Sequence, residues 1–318
     1  MNLLVLLALI CPWVAVPAAR RLADLLPPKA AALSLAGAAV ALAGATVLAL
    51  AVLVGGGLLH LPLLAATERM SLPWLLSTSP AAVPAALAAG AALLVAAALV
   101  TRVWRGQRAL LLRTRQAVGA DADGGDLTVL PGTAADAFAL PGSLGRPGRV
   151  VVTSAMLRAL DKTDRDVLLA HERAHLNGRH HLLARTAQLA AAVHPALRGL
   201  RPALAFHLER WADEDAAAVV GDRRLVAAAI ARAALAASAS GAAPGRQPSL
   251  LLAATTGPVP RRVSALLGPA PRPPRGRALR AVAAGLLCVL GLSVTLSVGS
   301  AYELHEYVEQ AQAVSQGR

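Results

Sequence analysis

The sequence is poor in cysteine and in aromatic residues, and each scarcity excludes a class of protein. Only two cysteines occur among 318 residues. Both, Cys11 and Cys288, lie inside apolar runs, so neither a disulfide framework nor a cysteine zinc site is available. Aromatic residues make up 3% of the chain, and no basic stripe interleaved with aromatics occurs. The sequence therefore predicts no nucleic-acid partner, despite its excess of basic residues.

Charged residues are also scarce, at 15% of the chain, whereas 56% of the residues are hydrophobic. The hydrophobic residues are gathered into long runs, and a helix needs ~20 such residues to cross a bilayer. Three runs reach that length and a fourth is borderline: residues 2–19, 30–59, 81–104 and 278–301. No basic residue precedes the first run, which predicts an uncleaved anchor and not a secretory signal. The runs predict an integral membrane protein.

The basic residues flank these runs asymmetrically, and cytoplasmic loops carry the excess of Lys and Arg. Basic residues follow the first and third runs and precede the fourth: Arg20, Arg21, Lys29, Arg102, Arg105, Arg108, Arg113, Arg115, Arg272, Arg275, Arg277 and Arg280. The tail after the fourth run carries Glu303, Glu306 and Glu309. We therefore predict that both termini lie outside the membrane and that residues 106–277 are cytoplasmic. Anchoring in a bilayer with anionic headgroups accounts for the formal net charge of +13.

His171, Glu172 and His175 form the metalloprotease pattern His-Glu-x-x-His. Two histidines four positions apart on a helix project from one face, so both imidazoles can hold one zinc ion. The glutamate between them points at the open position of the metal, where it can take a proton from the attacking water. Residues 163–166 are typical of a capping box, and the apolar residues after them predict a helix that carries the motif. The pattern predicts a zinc hydrolase.

A catalytic zinc takes three protein ligands, and the third position has three candidates. Glu209 opens a Glu-x-x-x-Asp pattern, in which Asp213 lies one helical turn on and can hydrogen-bond a ligand histidine. His181 completes a metzincin-like pattern, but metzincins need a methionine downstream, and the three methionines all lie upstream. On an unbroken helix His181 would also lie about 15 Å along the axis from His171, too far to share an ion. His180 is the remaining candidate and has no motif behind it.

A small β element is predicted before the motif. Residues 127–130 are a short strand candidate that ends at a Pro-Gly turn signal, and residues 149–153 are a second candidate, rich in β-branched residues. Residues 137–142 are an apolar stretch that ends in Pro-Gly. This stretch is either a third strand, whose edge could accept an extended peptide substrate, or a plain structural hairpin.

The chain after the motif is predicted to be helical and then irregular. Residues 182–208 are apolar with a break at His194 and Pro195, which favours a buried or interfacial helix pair over a membrane span. Residues 238–277 are rich in Ala, Ser, Gly and Pro, and they predict a loose linker in which only residues 262–267 are helical.

On these motifs the chain resembles the membrane-embedded gluzincin peptidases of the BlaR/MecR antirepressor type, which are related to the HtpX and CAAX-protease type. The resemblance covers about residues 127–267 and rests on five stretches: 137–142, 151–160, 169–175, 194–197 and 209–213. It implies three zinc ligands: His171, His175 and Glu209. It also implies that Glu172 is the general base and that Asp213 orients a ligand histidine.

Two departures from the family pattern limit what the resemblance implies. Ala212 stands where BlaR-type proteins often have cysteine. The chain ends soon after the fourth apolar run, so the penicillin-sensing domain of BlaR/MecR proteins has no counterpart in it. The resemblance therefore implies the chemistry of these peptidases and does not extend to antibiotic sensing.

We predict a mainly α-helical integral membrane protein with about four transmembrane helices and a cytosolic gluzincin-like zinc metallopeptidase domain that contains a small β element. Its successive parts are three transmembrane helices, the peptidase domain with its linker, a fourth transmembrane helix and a short extracytoplasmic tail: residues 1–105, 106–277, 278–301 and 302–318. The expected location is the bacterial plasma membrane, and the expected partners are the lipid bilayer and a protein or peptide substrate.

The expected activity is zinc-dependent cleavage of a protein substrate, in regulated proteolysis of a cytosolic target such as a repressor. The alternatives are an HtpX-like protease for membrane-protein quality control, or a signalling scaffold with a vestigial zinc site. No tyrosine lies between residues 70 and 302, which excludes a tyrosine from the predicted domain as the oxyanion donor. His207 and Arg210 are the alternative donors, although each is also compatible with an ordinary solvated side chain.

Overall fold

The computed structural model describes residues 2–119, 125–142, 147–240, 259–271 and 277–316. In these residues the chain is mainly helical, with one small sheet. The helices are α1 (Asn2–Ala23), α2 (Pro28–Leu58), α3 (Pro62–Thr67), α4 (Leu72–Thr78), α5 (Ala82–Val118), α6 (Ser154–Ala159), α7 (Lys162–Asn177), α8 (His180–Val193), α9 (Leu200–Val220), α10 (Arg223–Ala239), α11 (Val259–Leu267) and α12 (Arg277–Ser315), with a 3-10 helix at Pro195–Gly199. The strands are β1 (Leu127–Leu130), β2 (Ala137–Leu140) and β3 (Arg149–Thr153).

Three helices in the described part of the chain are long and apolar enough to cross a membrane: Val5–Ala23, Pro28–Leu58 and Ala82–Val118. They overlap the first three predicted runs and indicate membrane association. The fourth predicted run, residues 278–301, lies within α12, but most of its side chains are outside the described residues. Arg272, Arg275 and residues 241–258 of the predicted linker also fall outside them.

Helix α5 continues well past the membrane run that begins it. It extends unbroken to Val118 and ends before Gly119, whose φ of +83° suits a residue without a side chain. One rigid helix therefore crosses the domain boundary that the sequence predicts at residue 105.

The sheet has the order β1-β3-β2, with β1 parallel and β2 antiparallel to β3. Val150, Val151 and Val152 of the central strand are all fully buried because both faces of the sheet are covered. The predicted strands at 127–130 and 149–153 are confirmed. Residues 137–140 form a third strand at the edge of the sheet, and no described strand pairs with its other side.

The largest apolar cluster of the described residues joins the candidate membrane helices α1 and α2 to the helices that follow the motif. Leu35 and Leu42 of α2 pack in it with Leu200, Leu204 and Leu208 of α9. The predicted helix pair in residues 182–208 is confirmed as α8 and α9, and the break falls at His194, which caps the 3-10 helix by accepting a hydrogen bond from the Ala196 amide. Helices α8 and α9 therefore pack directly on α1 and α2, the first two candidate membrane helices.

Candidate metal centre

Helix α7 carries the motif, and its N-cap lies two residues before the start of the predicted capping box. Its N-cap is Asp161, whose carboxylate accepts a hydrogen bond from the Asp164 amide at 2.8 Å. The cap predicted at Thr163 is therefore wrong, because Thr163 already lies in the first turn. Asp164 is itself buried and paired with Arg232 of α10. This pair and the cap hold the helix in place beneath the motif.

His171 and His175 meet Glu209 of α9 in one buried group. The Nε2 atoms of the two histidines are 3.1 Å apart. Glu209 places Oε2 3.7 Å from His171 Nε2 and Oε1 3.5 Å from His175 Nε2. A tetrahedral zinc with ligand bonds near 2.0 Å separates its ligand atoms by about 3.3 Å. The three side chains therefore fit such an ion, and one position stays open for substrate or water.

Asp213 lies behind His171, on the side away from the other donors. Its Oδ1 is 3.1 Å from His171 Nδ1, so that Nδ1 is engaged and Nε2 faces the group. Burial lowers the pKa of His171, but the contacts with Asp213 and Glu209 raise it to about 10 overall. Burial lowers the pKa of His175 to about 3, which keeps it neutral. The carboxylates therefore favour positive charge at this position, as a metal site requires.

His180 supports His175 from the other side. The unbroken helix that underlies the predicted distance between His171 and His181 does not exist: α7 ends at Asn177, and Arg179 has a φ of +49° before α8 begins. This turn brings His180 Nδ1 to 2.8 Å from His175 Nδ1. The His180 ring is fully buried and lies 4.4 Å from the Trp211 ring, measured between centroids. His180, which belongs to no sequence motif, thus contacts His175 of the His-Glu-x-x-His motif.

His181 is absent from the donor group in the described part of the chain. The pKa of His181 is lowered by burial and by three neighbouring arginines, Arg179, Arg185 and Arg115. The helix break removes the distance argument against His181, yet the turn delivers His180 and not His181 to the motif. Glu209 therefore supplies the third donor of the group.

Arg262 of α11 completes the centre, although no motif in the sequence marks it as a functional residue. Its Nη1 is 2.8 Å from Glu209 Oε2, and its Nη2 is 2.6 Å from Asp213 Oδ1. The helix predicted at 262–267 is confirmed as α11, but it docks in the core, so this part of the predicted loose linker is wrong. The high content of Ala, Ser, Gly and Pro in residues 238–277 predicted a linker there. The only contrary signal was the helical spacing of Arg262 and Leu266.

Glu172 is 2% exposed and faces a small apolar cavity. Burial raises the pKa of its carboxyl to about 7, because the charged form is poorly solvated there. The cavity of about 50 Å³ is lined by both Glu172 and His171, with Ala137, Leu168 and Ala233 among the apolar residues. A carboxylate with this pKa can both accept and return a proton near neutral pH.

The two alternative oxyanion donors face away from the metal centre. His207 Nε2 lies 3.5 Å from Asp24, in the connection between α1 and α2. Arg210 is paired with Glu214 at 3.1 Å, and Glu214 also binds Arg223. Neither side chain lines the cavity beside Glu172. The structure therefore gives both residues partners away from the metal centre.

The family comparison agrees with this geometry over the segment that carries the donors. Residues 107–241 match the sequence model of Peptidase family M48. No curated protein and no solved structure matches the chain. The matched segment holds the α7 motif, Glu209 and Asp213, whereas α11 lies beyond it. The match supports a gluzincin-type metallopeptidase domain in residues 107–241 and indicates that the protein is a peptidase.

Proposed function

We propose that the chain is a membrane-bound, zinc-dependent endopeptidase that cleaves a protein substrate. The observation that carries this proposal is the buried group of His171, His175 and Glu209, whose atomic separations suit a zinc ion. We assign these three residues as ligands, Glu172 as the general base and Asp213 as the residue that orients His171. An intact donor set argues against a scaffold with a vestigial site.

When bound, zinc would supply a Lewis acid for water and for the peptide carbonyl. Glu172 takes the proton of the attacking water and passes it to the leaving amine. Its burial suits this task, since a carboxyl with a pKa of about 7 exchanges a proton readily in both directions. Asp213 holds His171 in the tautomer that leaves Nε2 free for the ion.

The edge of β2 offers a place for an extended peptide. β2 pairs only with β3 among the described strands, and its residues run beside α7. A peptide could therefore add as a further strand and present its backbone to Glu172. Arg115 of α5 holds the end of this strand by donating hydrogen bonds to the carbonyl oxygens of Pro141 and Gly142, at 2.9 and 2.8 Å.

From the position and lining of the cavity beside Glu172 we infer which side chain of the substrate this cavity receives. Because Glu172 returns its proton to the leaving amine, the residue after the cleaved bond lies beside Glu172. The lining is mostly apolar, with Ile230, Ala233 and Ala237 of α10 on one side. We therefore expect a small apolar side chain directly after the cleaved bond.

The packing of α12 supports four transmembrane helices with both termini outside. Gly285 of α12 lies beside Leu22, near the end of α1, and Leu304 lies beside Gly55, near the end of α2. The 19 positions from Gly285 to Leu304 rise ~28 Å along a helix, close to the ~30 Å of a bilayer core. The end of α12 also packs on α4, where the Ser71 amide donates to the Ala311 carbonyl oxygen at 3.2 Å.

The cellular role that we propose is regulated proteolysis of a cytosolic target, such as a winged-helix repressor. The resemblance to the BlaR/MecR type supports it, and so does the packing of the peptidase helices against the connection between α1 and α2. Arg20 and Arg21 lie in the last turn of α1 and Lys29 lies in the first turn of α2, on either side of that connection, and basic residues at such positions mark cytoplasmic ends.

The test uses the full chain purified in detergent with an unfolded protein substrate. We expect cleavage that 1,10-phenanthroline abolishes and added zinc restores. We expect Glu172→Ala to keep its zinc, measured as bound metal per chain, and to lose cleavage, because the residue moves a proton without binding the ion. Undiminished cleavage by Glu172→Ala would remove Glu172 as the base. Absence of zinc in the wild-type chain would reject the proposed function.

A further inference from the structure

Arg262 is a charged side chain that is 1% exposed, and it lies outside the segment that matches the peptidase family. Its guanidinium donates two hydrogen bonds to the Asp213 carboxylate, from Nε to Oδ2 at 2.8 Å and from Nη2 to Oδ1 at 2.6 Å. Its Nη1 meets Glu209 Oε2 at 2.8 Å. One planar group thus spans both carboxylates of the Glu-x-x-x-Asp pattern.

The charge balance of the site depends on this guanidinium. Glu172, Glu209 and Asp213 are all at least 98% buried, and like charges repel strongly away from water. Three carboxylates, one guanidinium and one divalent cation sum to zero net charge. Without Arg262 the carboxylates would carry an excess negative charge even with the ion bound.

The position of Arg262 is set by the docking of α11. Leu266, one turn on, is buried against Val167 and Val226 in the core of the peptidase helices. Arg223 of α10 donates to the Ala265 carbonyl oxygen at 2.9 Å, at the end of α11. The helix is therefore held by apolar and polar contacts that are independent of the metal donors.

We propose that Arg262 is a positioning residue of the metal centre. It turns the Glu209 carboxylate toward the two histidines and the Asp213 carboxylate toward His171, and it does not contact the ion. The inference rests on the proposed zinc site. It means that the centre is complete only when α11 is docked, although the family match ends before α11.

The experiment measures zinc affinity of the full chain in detergent by competition with a chelator, and the visible spectrum after Co²⁺ substitution. We expect Arg262→Met to lower zinc affinity by ~10- to 100-fold, the usual effect of removing a partner of a metal ligand. We expect the Co²⁺ spectrum to shift, because Glu209 no longer has a fixed direction. Arg262→Lys restores the charge but not the planar fork, so its affinity should be intermediate.

The matched control is Arg261→Met on the same helix. Arg261 lies over the Phe206 ring at 4.3 Å from its centroid and contacts no metal donor in the described chain, so we expect wild-type affinity and spectrum. If Arg262→Met does not fold, Arg262→Lys carries the test. Wild-type affinity and an unchanged Co²⁺ spectrum in the folded variant would overturn this inference alone. A wild-type chain that binds no zinc would overturn the proposed function with it.

Discussion

Glu209 and His181 compete for the role of third ligand, and the two residues lie in different surroundings. Glu209 is 2% exposed and holds an oxygen within 3.5 Å of His175 Nε2. His181 lies near Arg179, Arg185 and Arg115, which disfavour a metal ion beside it. The positive surroundings of His181 and the close approach of Glu209 to His175 both favour Glu209 as the third ligand.

We predict that Glu209→Ala lowers zinc affinity by more than ~100-fold, because it removes a ligand and not a supporting residue. His181→Ala is the matched control, with metal and activity largely unchanged. Both variants are compared by chelator competition on the folded protein. Loss of zinc by His181→Ala together with its retention by Glu209→Ala would show that the metzincin geometry is right and the gluzincin one wrong.

Gly178 leaves room for the His180 ring that supports His175. A Cβ at this position would lie 2.3 Å from His180 Nε2 and 2.6 Å from its Cδ2, while the backbone itself, with φ of −76°, accepts any residue. Gly178→Ala must therefore displace His180. We predict a ~10-fold loss of zinc affinity, of the size seen when the partner of a ligand histidine moves.

The control for Gly178→Ala is Gly106→Ala, where an added Cβ meets nothing within 4 Å. It should bind zinc as the wild type does. The measurement is the same chelator competition, with circular dichroism to verify folding. Equal zinc affinity in the two variants would mean that the contact between His180 and His175 contributes nothing to the centre.

At the scale of elements, α2 and α5 approach each other closely at Gly57. A Cβ there would lie 2.1 Å from Ala86 Cβ and 3.0 Å from the Ala82 carbonyl oxygen. Small residues let membrane helices pack with their backbones close together. Gly44, on the same helix, has nothing within 4 Å of an added Cβ. The two glycines thus provide a paired test of this interface.

We predict that Gly57→Ala destabilises the chain by about 1–3 kcal/mol, because the helices must separate to admit the methyl group. Gly44→Ala should be neutral or slightly stabilising, since alanine favours the helix more than glycine does. The measurement is thermal unfolding in detergent. Equal melting temperatures for both variants would show that α2 and α5 are not in close contact at Gly57.

At the scale of the whole molecule, the candidate membrane helices α1 and α2 share one core with α8 and α9, which lie in the segment that matches the peptidase family. Trp211 of α9 lies beneath Lys29 of α2, with Nζ 5.2 Å from the ring centroid, and it also packs against the His180 ring. A chain of direct contacts therefore runs from the start of α2 to the metal centre. This arrangement places the peptidase helices at the end of α1 where Arg20 and Arg21 lie.

The topology prediction follows from the arginine distribution and the packing of α12. A reporter fused after Arg318 should be exposed outside the membrane, and one inserted near Gly241 should be cytoplasmic, as cysteine-labelling or enzyme-reporter assays can show. Four crossings require opposite sides for these two positions. A cytoplasmic location for both would mean that α12 does not span the bilayer.

Much of the fold followed from local spacing. The apolar runs predicted the three candidate membrane helices of the described residues, because a helix that crosses a bilayer needs a continuous apolar length. The histidines of the motif share a face because four residues make about one helical turn. The Glu-x-x-x-Asp pattern placed Glu209 and Asp213 together for the same reason. The turn signal after residue 130 and the β-branched residues at 149–153 predicted β1 and β3.

The remaining contacts of the centre join residues that no local pattern relates. Arg262 meets Asp213 across 49 positions of chain, and a buried ion pair between distant helices leaves no periodic signal in either one. His180 reaches His175 only because the chain turns at Arg179, a single left-handed residue that helical spacing did not reveal. Both contacts depend on how α8, α9 and α11 pack, and packing is a property of the whole core and not of any one segment.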